Sequence, residues 1–350
     1  MLFDVLLLLG LLIGIVFACS VFTNAIEWLG EKMNLSAGAV GSVLAAVGTA
    51  LPETIVPIIA IISGFLATQN GGGMSAEAGN DIGIGAILGA PFMLGTLAMF
   101  ISGLAVIIFT LMKKRGLEMH ADVGQFYRDK TYFFIAYILG VGAAFIPAPF
   151  HDYKWIVAIA LLGVYGLYLK STFNADESKP DIDEHDLDPL MFTPKVEHPS
   201  MNAVLFQTGV GLALIIVFAH FFVHEIHTLS ERFNLNALIL SLIIIPIATE
   251  LPEKFNSVVW LGKKKDTLAI GNLTGAMVFQ SCIPVAVGVA FTPWVLNSQA
   301  MLSVLLCLVT SLVISLFAFR LGKKTSPFIF LLGGITYTVF VYMVVKPLFS

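Results

Sequence analysis

The sequence of 350 residues is 57% hydrophobic and 12% charged, with a mean hydropathy of +0.90. That much apolar surface does not fit inside one water-soluble core, which excludes a soluble globular protein and leaves a polytopic membrane protein. The formal net charge of −4 says little, because charge in such a chain matters loop by loop.

The start, Met1-Leu2-Phe3-Asp4, has no basic stretch before an apolar run that reaches about Thr23. It reads as an uncleaved first span. Further apolar runs follow near 37–64, 82–112, 131–149, 154–170, 202–225, 236–261, 267–291, 299–319 and 326–346, predicting ten spans. Residues 64–81, with Gly71-Gly72-Gly73, Gly79, Asn80 and Asp81, read as a flexible outer loop. Residues 171–201 form the one sizeable hydrophilic segment, acidic and interrupted by prolines, and read as a flexible linker. Its run Asp181-Ile182-Asp183-Glu184-His185-Asp186 lacks the glycine and final glutamate of an EF-hand loop. Cys19, Cys282 and Cys307 sit in apolar runs without metal-type spacing and read as core residues.

Basic residues give an orientation. With both termini outside, inner loops hold Lys32; Lys113, Lys114, Arg115, Arg128 and Lys130; Lys170, Lys179 and Lys195; Lys263, Lys264 and Lys265; and Arg320, Lys323 and Lys324. These are 15 of the 19 basic residues, so the expectation is a cell (inner) membrane protein with non-cytoplasmic termini.

The second and seventh spans carry related strings, Gly48-Thr49-Ala50-Leu51-Pro52-Glu53 and Ala248-Thr249-Glu250-Leu251-Pro252-Glu253. A carboxylate at bilayer depth costs roughly 3 kcal/mol, and an interior proline disrupts its helix. Two such strings, an odd number of spans apart, predict inverted halves facing each other across a midplane cation site. The expected fold is all-α: ten transmembrane helices as two inverted five-helix repeats, residues 1–170 and 202–350, joined by the acidic cytoplasmic linker 171–201. Each Pro-Glu span is followed by a glycine-marked one, with Gly85 and Gly89 in the first half and Gly271 and Gly275 in the second. That spacing lets helices approach closely. Pro57, Pro91, Pro246 and Pro284 are expected to shape helix breaks, which free carbonyl oxygens for a hard cation.

These segments resemble the two internal repeats of the calcium/cation antiporter superfamily, in particular the sodium/calcium exchangers, whose signature is G-T-S-L-P-E followed by G-N-x-x-G-S-N-x-F-N. The repeat regions fall at about 37–112 and 236–291. The resemblance implies Glu53 and Glu253 as principal calcium ligands, with supporting oxygens from Thr49 and Thr249. It places the family serine after threonine on Ala50 and Glu250, the serine of the following span on Ala90 and Ala276, and the final polar ligand on Leu94 and Gln280. Ala90, Leu94 and Ala276 offer no side-chain oxygen, which weakens the expected sodium sites.

Glu250 precedes Glu253 by three residues, and Lys254 follows Glu250 by four, the favourable order for an ion pair along a helix. The expectation is a switchable Glu250–Lys254 pair favouring proton-linked transport; the alternative is a Lys254 that snorkels away from the site. His220, His224 and His227 lie at helical spacing beside Glu225 and read as interfacial anchors. The string His224-Glu225-Ile226-His227 is one residue short of a zinc-protease motif.

The function expected is antiport of Ca2+ against a monovalent cation, Na+ or H+, by alternating access, with no cofactor, no enzymatic activity and no nucleic-acid partner. The rivals are an altered-specificity divalent-cation exchanger with lost sodium sites, a cation channel, and a non-transporting sensor.

Overall fold

The computed structural model describes residues 2–32, 50–70, 75–176, 187–233, 237–318 and 324–345. Its helices are α1 (Leu2–Lys32), α2 (Leu51–Asn70), α3 (Ala76–Met93), α4 (Met99–Leu111), α5 (Val123–Gly142), α6 (Lys154–Asp176), α7 (Met201–Phe233), α8 (Ala237–Thr249), α9 (Leu251–Gly262), α10 (Asp266–Phe291), α11 (Ser298–Phe317) and α12 (Leu331–Val345). A π-helical turn, Leu94–Ala98, joins α3 to α4 without interrupting the rod. A two-residue ribbon, β1 (Met119–His120) antiparallel to β2 (Lys324–Thr325), pairs Met119 with Thr325. Among the described residues, seven helical stretches are long and apolar enough to cross a bilayer.

α3 and α10 are the central helices. Every residue of α3 from Ile82 to Met93 is buried, as is every residue of α10 from Asn272 to Cys282. They pack against each other, α8 lies along α3, and α5 and α6 cover α10. The outer helices instead leave Leu6, Ile13 and Phe17 of α1, Ile159 and Leu167 of α6 and Phe206 of α7 exposed, the surface that a helix facing lipid presents.

Close approach needs small residues where helix backbones meet. Gly89 of α3 lies directly on the Leu242 carbonyl of α8, with the Pro246 ring 2.6 Å from where a β-carbon would stand. Pro246 has no N–H to return to that Leu242 carbonyl, so the crossing uses a carbonyl that the proline releases.

Three expectations are corrected. Residues 64–81 are not one loop: α2 runs to Asn70 and α3 starts at Ala76, where Ser75 Oγ accepts a cap bond from Ala78 N at 3.1 Å. Gly79 is a packing residue, its backbone against Gly64 and the Ala60 carbonyl. The prolines are not the breaks: Pro57, Pro91, Pro246 and Pro284 all lie inside helices. The described break falls at Glu250, and Pro252 stands at the start of α9, where a missing N–H costs nothing.

Nor are residues 187–200 a loose linker. The Asp188 carbonyl accepts Trp28 Nε1 at 2.9 Å, Met191 N donates to Asn24 Oδ1 at 2.9 Å, and Phe192 N donates to Gln207 Oε1 at 2.8 Å. Gln207 in turn donates to Asn24 Oδ1 at 2.8 Å. This strap is laced to both α1 and α7; the acidic run 181–186 lies outside the described residues.

Candidate functional site

Glu53 stands in the first turn of α2 and Glu253 in the first turn of α9, where a helix N-terminus favours negative charge. Glu250 occupies the junction of α8 and α9 at φ −87°, ψ 7°, outside both helices. Gln280 comes from the middle of α10. All four are buried: Glu53 is 2% exposed and the other three 0%. The charges that bear on Glu53 are those of Glu253, Glu250 and Lys254, so carboxylates 200 positions apart share one region of the interior.

The polar atoms here are unequally engaged. Neither carboxylate oxygen of Glu53 and neither amide atom of Gln280 has a hydrogen-bond partner among the described residues. Burying such groups unpaired costs several kcal/mol unless an ion or water meets them. Glu250 differs, because its Oε2 lies 3.1 Å from Lys254 Nζ. That ammonium also reaches the Pro246 carbonyl at 3.4 Å and Met93 Sδ, from α3, at 3.0 Å. Lys254 is 6% exposed; it pairs inward and does not snorkel.

Neutral oxygens complete the surroundings. Thr249 Oγ1 donates to the Ile245 carbonyl at 3.0 Å, leaving its lone pairs to accept. Pro57, one turn after Glu53, has no N–H to offer the Glu53 carbonyl. In the other half, the Glu253 carbonyl accepts Asn272 Nδ2 at 3.3 Å, and Asn272 is held by Ser257 Oγ at 3.3 Å. Thr49 lies outside the described residues. Ala50, Ala90, Leu94 and Ala276 are buried and bring no side-chain oxygen. Among the described residues no three His, Cys, Asp or Glu side chains converge as a metal cluster. An ion here would therefore rest on carboxylates supplemented by amide, hydroxyl and backbone oxygens, the ligand set of a hard cation.

A second buried polar group has no counterpart in the sequence reading. Lys130, counted there as a loop cation, is 2% exposed inside α5. Its Nζ sits 3.3 Å from Met277 Sδ and 5.9 and 5.6 Å from the Phe126 and Phe133 rings. Asp129 beside it is buried, its Oδ2 2.7 Å from Thr274 Oγ1 of α10. The string Arg128-Asp129-Lys130 looks solvated, and the signal against a loop is Asp122, which caps α5 by accepting from Gln125 N at 3.0 Å. His220 and His224 face outward, and His227 lies 3.6 Å from Glu231.

The sequence profile of the sodium/calcium exchanger protein family matches residues 3–173 and 203–346. The chain belongs to that family. It is therefore an integral membrane protein of an exchanger family whose members transport calcium and a coupling ion, and the family is one of transporters, not catalytic enzymes. Among curated proteins the chain is 24% identical to CaxA of Alkalimonas amylolytica over 323 residues, 90% of this chain and 89% of that protein. Among solved structures it resembles the H+/Ca2+ exchanger CAX, with TM-score 0.69 and 15% identity over 99% of this chain and 87% of that one. It also resembles the sodium–calcium exchanger NCX_Mj, with TM-score 0.59 and 20% identity over 96% of this chain and 97% of that one. At these identities the two structures establish a shared fold.

Proposed function

We propose that this exchanger moves Ca2+ against a monovalent cation, Na+ or H+, by alternating access. The fold in this reading is ten membrane helices in two inverted halves, residues 1–170 and 202–350, with both termini on the non-cytoplasmic face of the inner membrane. Glu53 and Glu253 hold the divalent ion between them, one from each half. Gln280, Thr49, Thr249 and the free edge of Glu250 supply further oxygens, as backbone carbonyls do in other broken-helix transporters.

The observation that carries this reading is the pair Glu53 and Gln280: a carboxylate and an amide, from different halves, both buried with every side-chain polar atom unpartnered among the described residues. A cation bound between them offsets their desolvation. Family membership supports calcium as cargo, and of the proteins that share the fold CAX is an H+/Ca2+ exchanger and NCX_Mj a sodium–calcium exchanger.

The test is calcium flux in proteoliposomes carrying imposed sodium or proton gradients. Calcium movement that requires a counter-gradient of either ion supports antiport and identifies the coupling ion. Calcium flux that runs down its own gradient with no exchange ion present replaces this reading with a channel.

A further inference from the structure

Monovalent cations are held by a few oxygens, often one carboxylate and carbonyls freed at a helix break. Lys254 Nζ occupies a comparable place on one carboxylate, next to a carbonyl, that of Pro246, which also accepts Glu250 N at 3.2 Å. It sits 3.1 Å from Glu250 Oε2 and 3.4 Å from the Pro246 carbonyl, and Met93 Sδ of α3 closes its far side at 3.0 Å. The donor set thus joins the α8–α9 junction to the opposite half. The neighbouring Glu53 and Gln280 side chains lack partners among the described residues, whereas Glu250 Oε2 faces the ammonium.

Charge fits the same division. Counted at their formal charges, three carboxylates and one ammonium sum to two negative charges, the complement of one divalent ion. Glu250 and Lys254 therefore add no net charge to what Glu53 and Glu253 supply. At Ala90, Leu94 and Ala276 the neighbouring helices bring no side-chain oxygen with which to build a monovalent site from solvent ions.

We propose that the Lys254 ammonium is a tethered monovalent cation: it permanently fills a cation position on Glu250, beside the divalent site, that would otherwise take a small cation from solution. This rests on the reading of Glu53 and Glu253 as the divalent site. Removing the lysine side chain, as in Lys254→Ala, opens that position to a free ion and leaves Glu250 uncompensated.

The experiment uses the purified full-length chain at one pH and constant ionic strength, with tetramethylammonium as the inert cation. Equilibrium dialysis with radioactive sodium counts bound ions, and calorimetry measures calcium affinity with and without ethylammonium, which replaces the lost head group. Lys254→Ala is expected to bind one more sodium ion per chain than the unmodified protein. Its calcium affinity is expected to change saturably with ethylammonium by about fivefold or more, the lower range for coupled ligand sites, while the unmodified protein does not respond. A Glu250→Gln, Lys254→Leu double variant removes both charges and is expected to lose the extra sodium ion and the ethylammonium response. The proposal is overturned when Lys254→Ala matches the unmodified protein in sodium count and ethylammonium response. It is equally overturned when the double variant keeps the extra ion, a comparison that stands even when the single variant does not fold. Absence of calcium binding in the unmodified protein overturns the divalent-site reading instead, and the sodium count still decides the role of Lys254.

Discussion

Gly89 of α3 rests on the Leu242 carbonyl of α8, a point at which a helix from the first part of the chain meets the backbone of one from the second. A β-carbon there would run into backbone and into the Pro246 ring at 2.6 Å, and neither can swing aside. Gly89→Ala is therefore expected to separate the helices and destabilise the protein by about 1–3 kcal/mol, the usual cost of overpacking. Thermal unfolding in detergent measures it. An unchanged midpoint would show that the crossing is looser than the structure indicates.

Glu53→Gln and Glu253→Gln are each expected to weaken calcium binding roughly hundredfold or more while the chain remains folded, since removing one charge of a buried pairing costs about 3–5 kcal/mol. Calorimetric titration of the purified variants checks this. Undiminished affinity in either variant removes that carboxylate from the site.

Arg115 is a structural cation. Its guanidinium meets Asp266 at 2.6 and 2.8 Å, donates to the Leu261 carbonyl at 2.7 Å, and fastens the start of α10 to the segment after α4. Arg115→Met leaves Asp266 buried without its partner and is expected to cost about 3–5 kcal/mol. Arg115→Lys loses the forked geometry and should recover only part of that. Unfolding midpoints of the two variants, compared with Arg115→Met combined with Asp266→Leu, test the assignment: the double variant should be more stable than Arg115→Met alone.

At the ribbon, Lys324 Nζ lies 2.6 Å from Glu118 Oε2 in full solvent, and this contact holds the Glu118 carboxyl below the usual glutamate range. A depressed carboxylate adds stability above its unfolded pKa, about 4.3, and that contribution fades as pH falls through the folded value. Because the pair is exposed, Lys324→Met is expected to return the Glu118 titration toward the ordinary glutamate value while leaving the unfolding midpoint at neutral pH nearly unchanged. Carbon-detected NMR titration of Glu118 reads the first effect and calorimetry the second. A large fall in midpoint contradicts this account.

The proposed orientation places Lys264 on the cytoplasmic side, and Ser350 and Gly72 on the other. Single-cysteine variants at these positions, labelled with an impermeant thiol reagent, decide it. Labelling of positions 264 and 350 from the same side contradicts the inverted halves.

The Pro-Glu strings are legible in the sequence because a carboxylate beside a proline stands out in an apolar run, and Glu53 and Glu253 are both buried. The Glu250–Lys254 pair is legible for a local reason, the four-residue spacing of one helical turn. Lys130 is not legible. What buries it is Met277 with two rings of its own helix, and what ties down its neighbour Asp129 is Thr274, contacts made across more than 140 positions. The prolines mislead for a related reason: each does free a carbonyl, but a neighbouring helix can use that carbonyl, as Gly89 does at Leu242, and the rod then continues. Gly79 misleads because a glycine needed for a close helix crossing has the same one-letter signature as a glycine in a loop.

The π-helical turn at Leu94–Ala98 changes the phase of everything after it. Aligning Gly85 on Gly271 pairs the two central helices at a constant interval as far as Leu94 and Gln280. A wide turn spends one extra residue, and one residue of helix is about 100° of rotation. Past that point the counterpart of Ser281 is Thr96 rather than Gly95. Each hydroxyl bonds back within its own helix, Ser281 to the Val278 carbonyl at 3.0 Å and Thr96 to the Phe92 carbonyl at 2.5 Å. The same rotation aims Ser102, Gly103 and Val106 of α4 inward, with Gly103 against the Pro327 carbonyl. Deleting a single residue from the turn would swing that whole stripe a quarter of the way round, toward lipid.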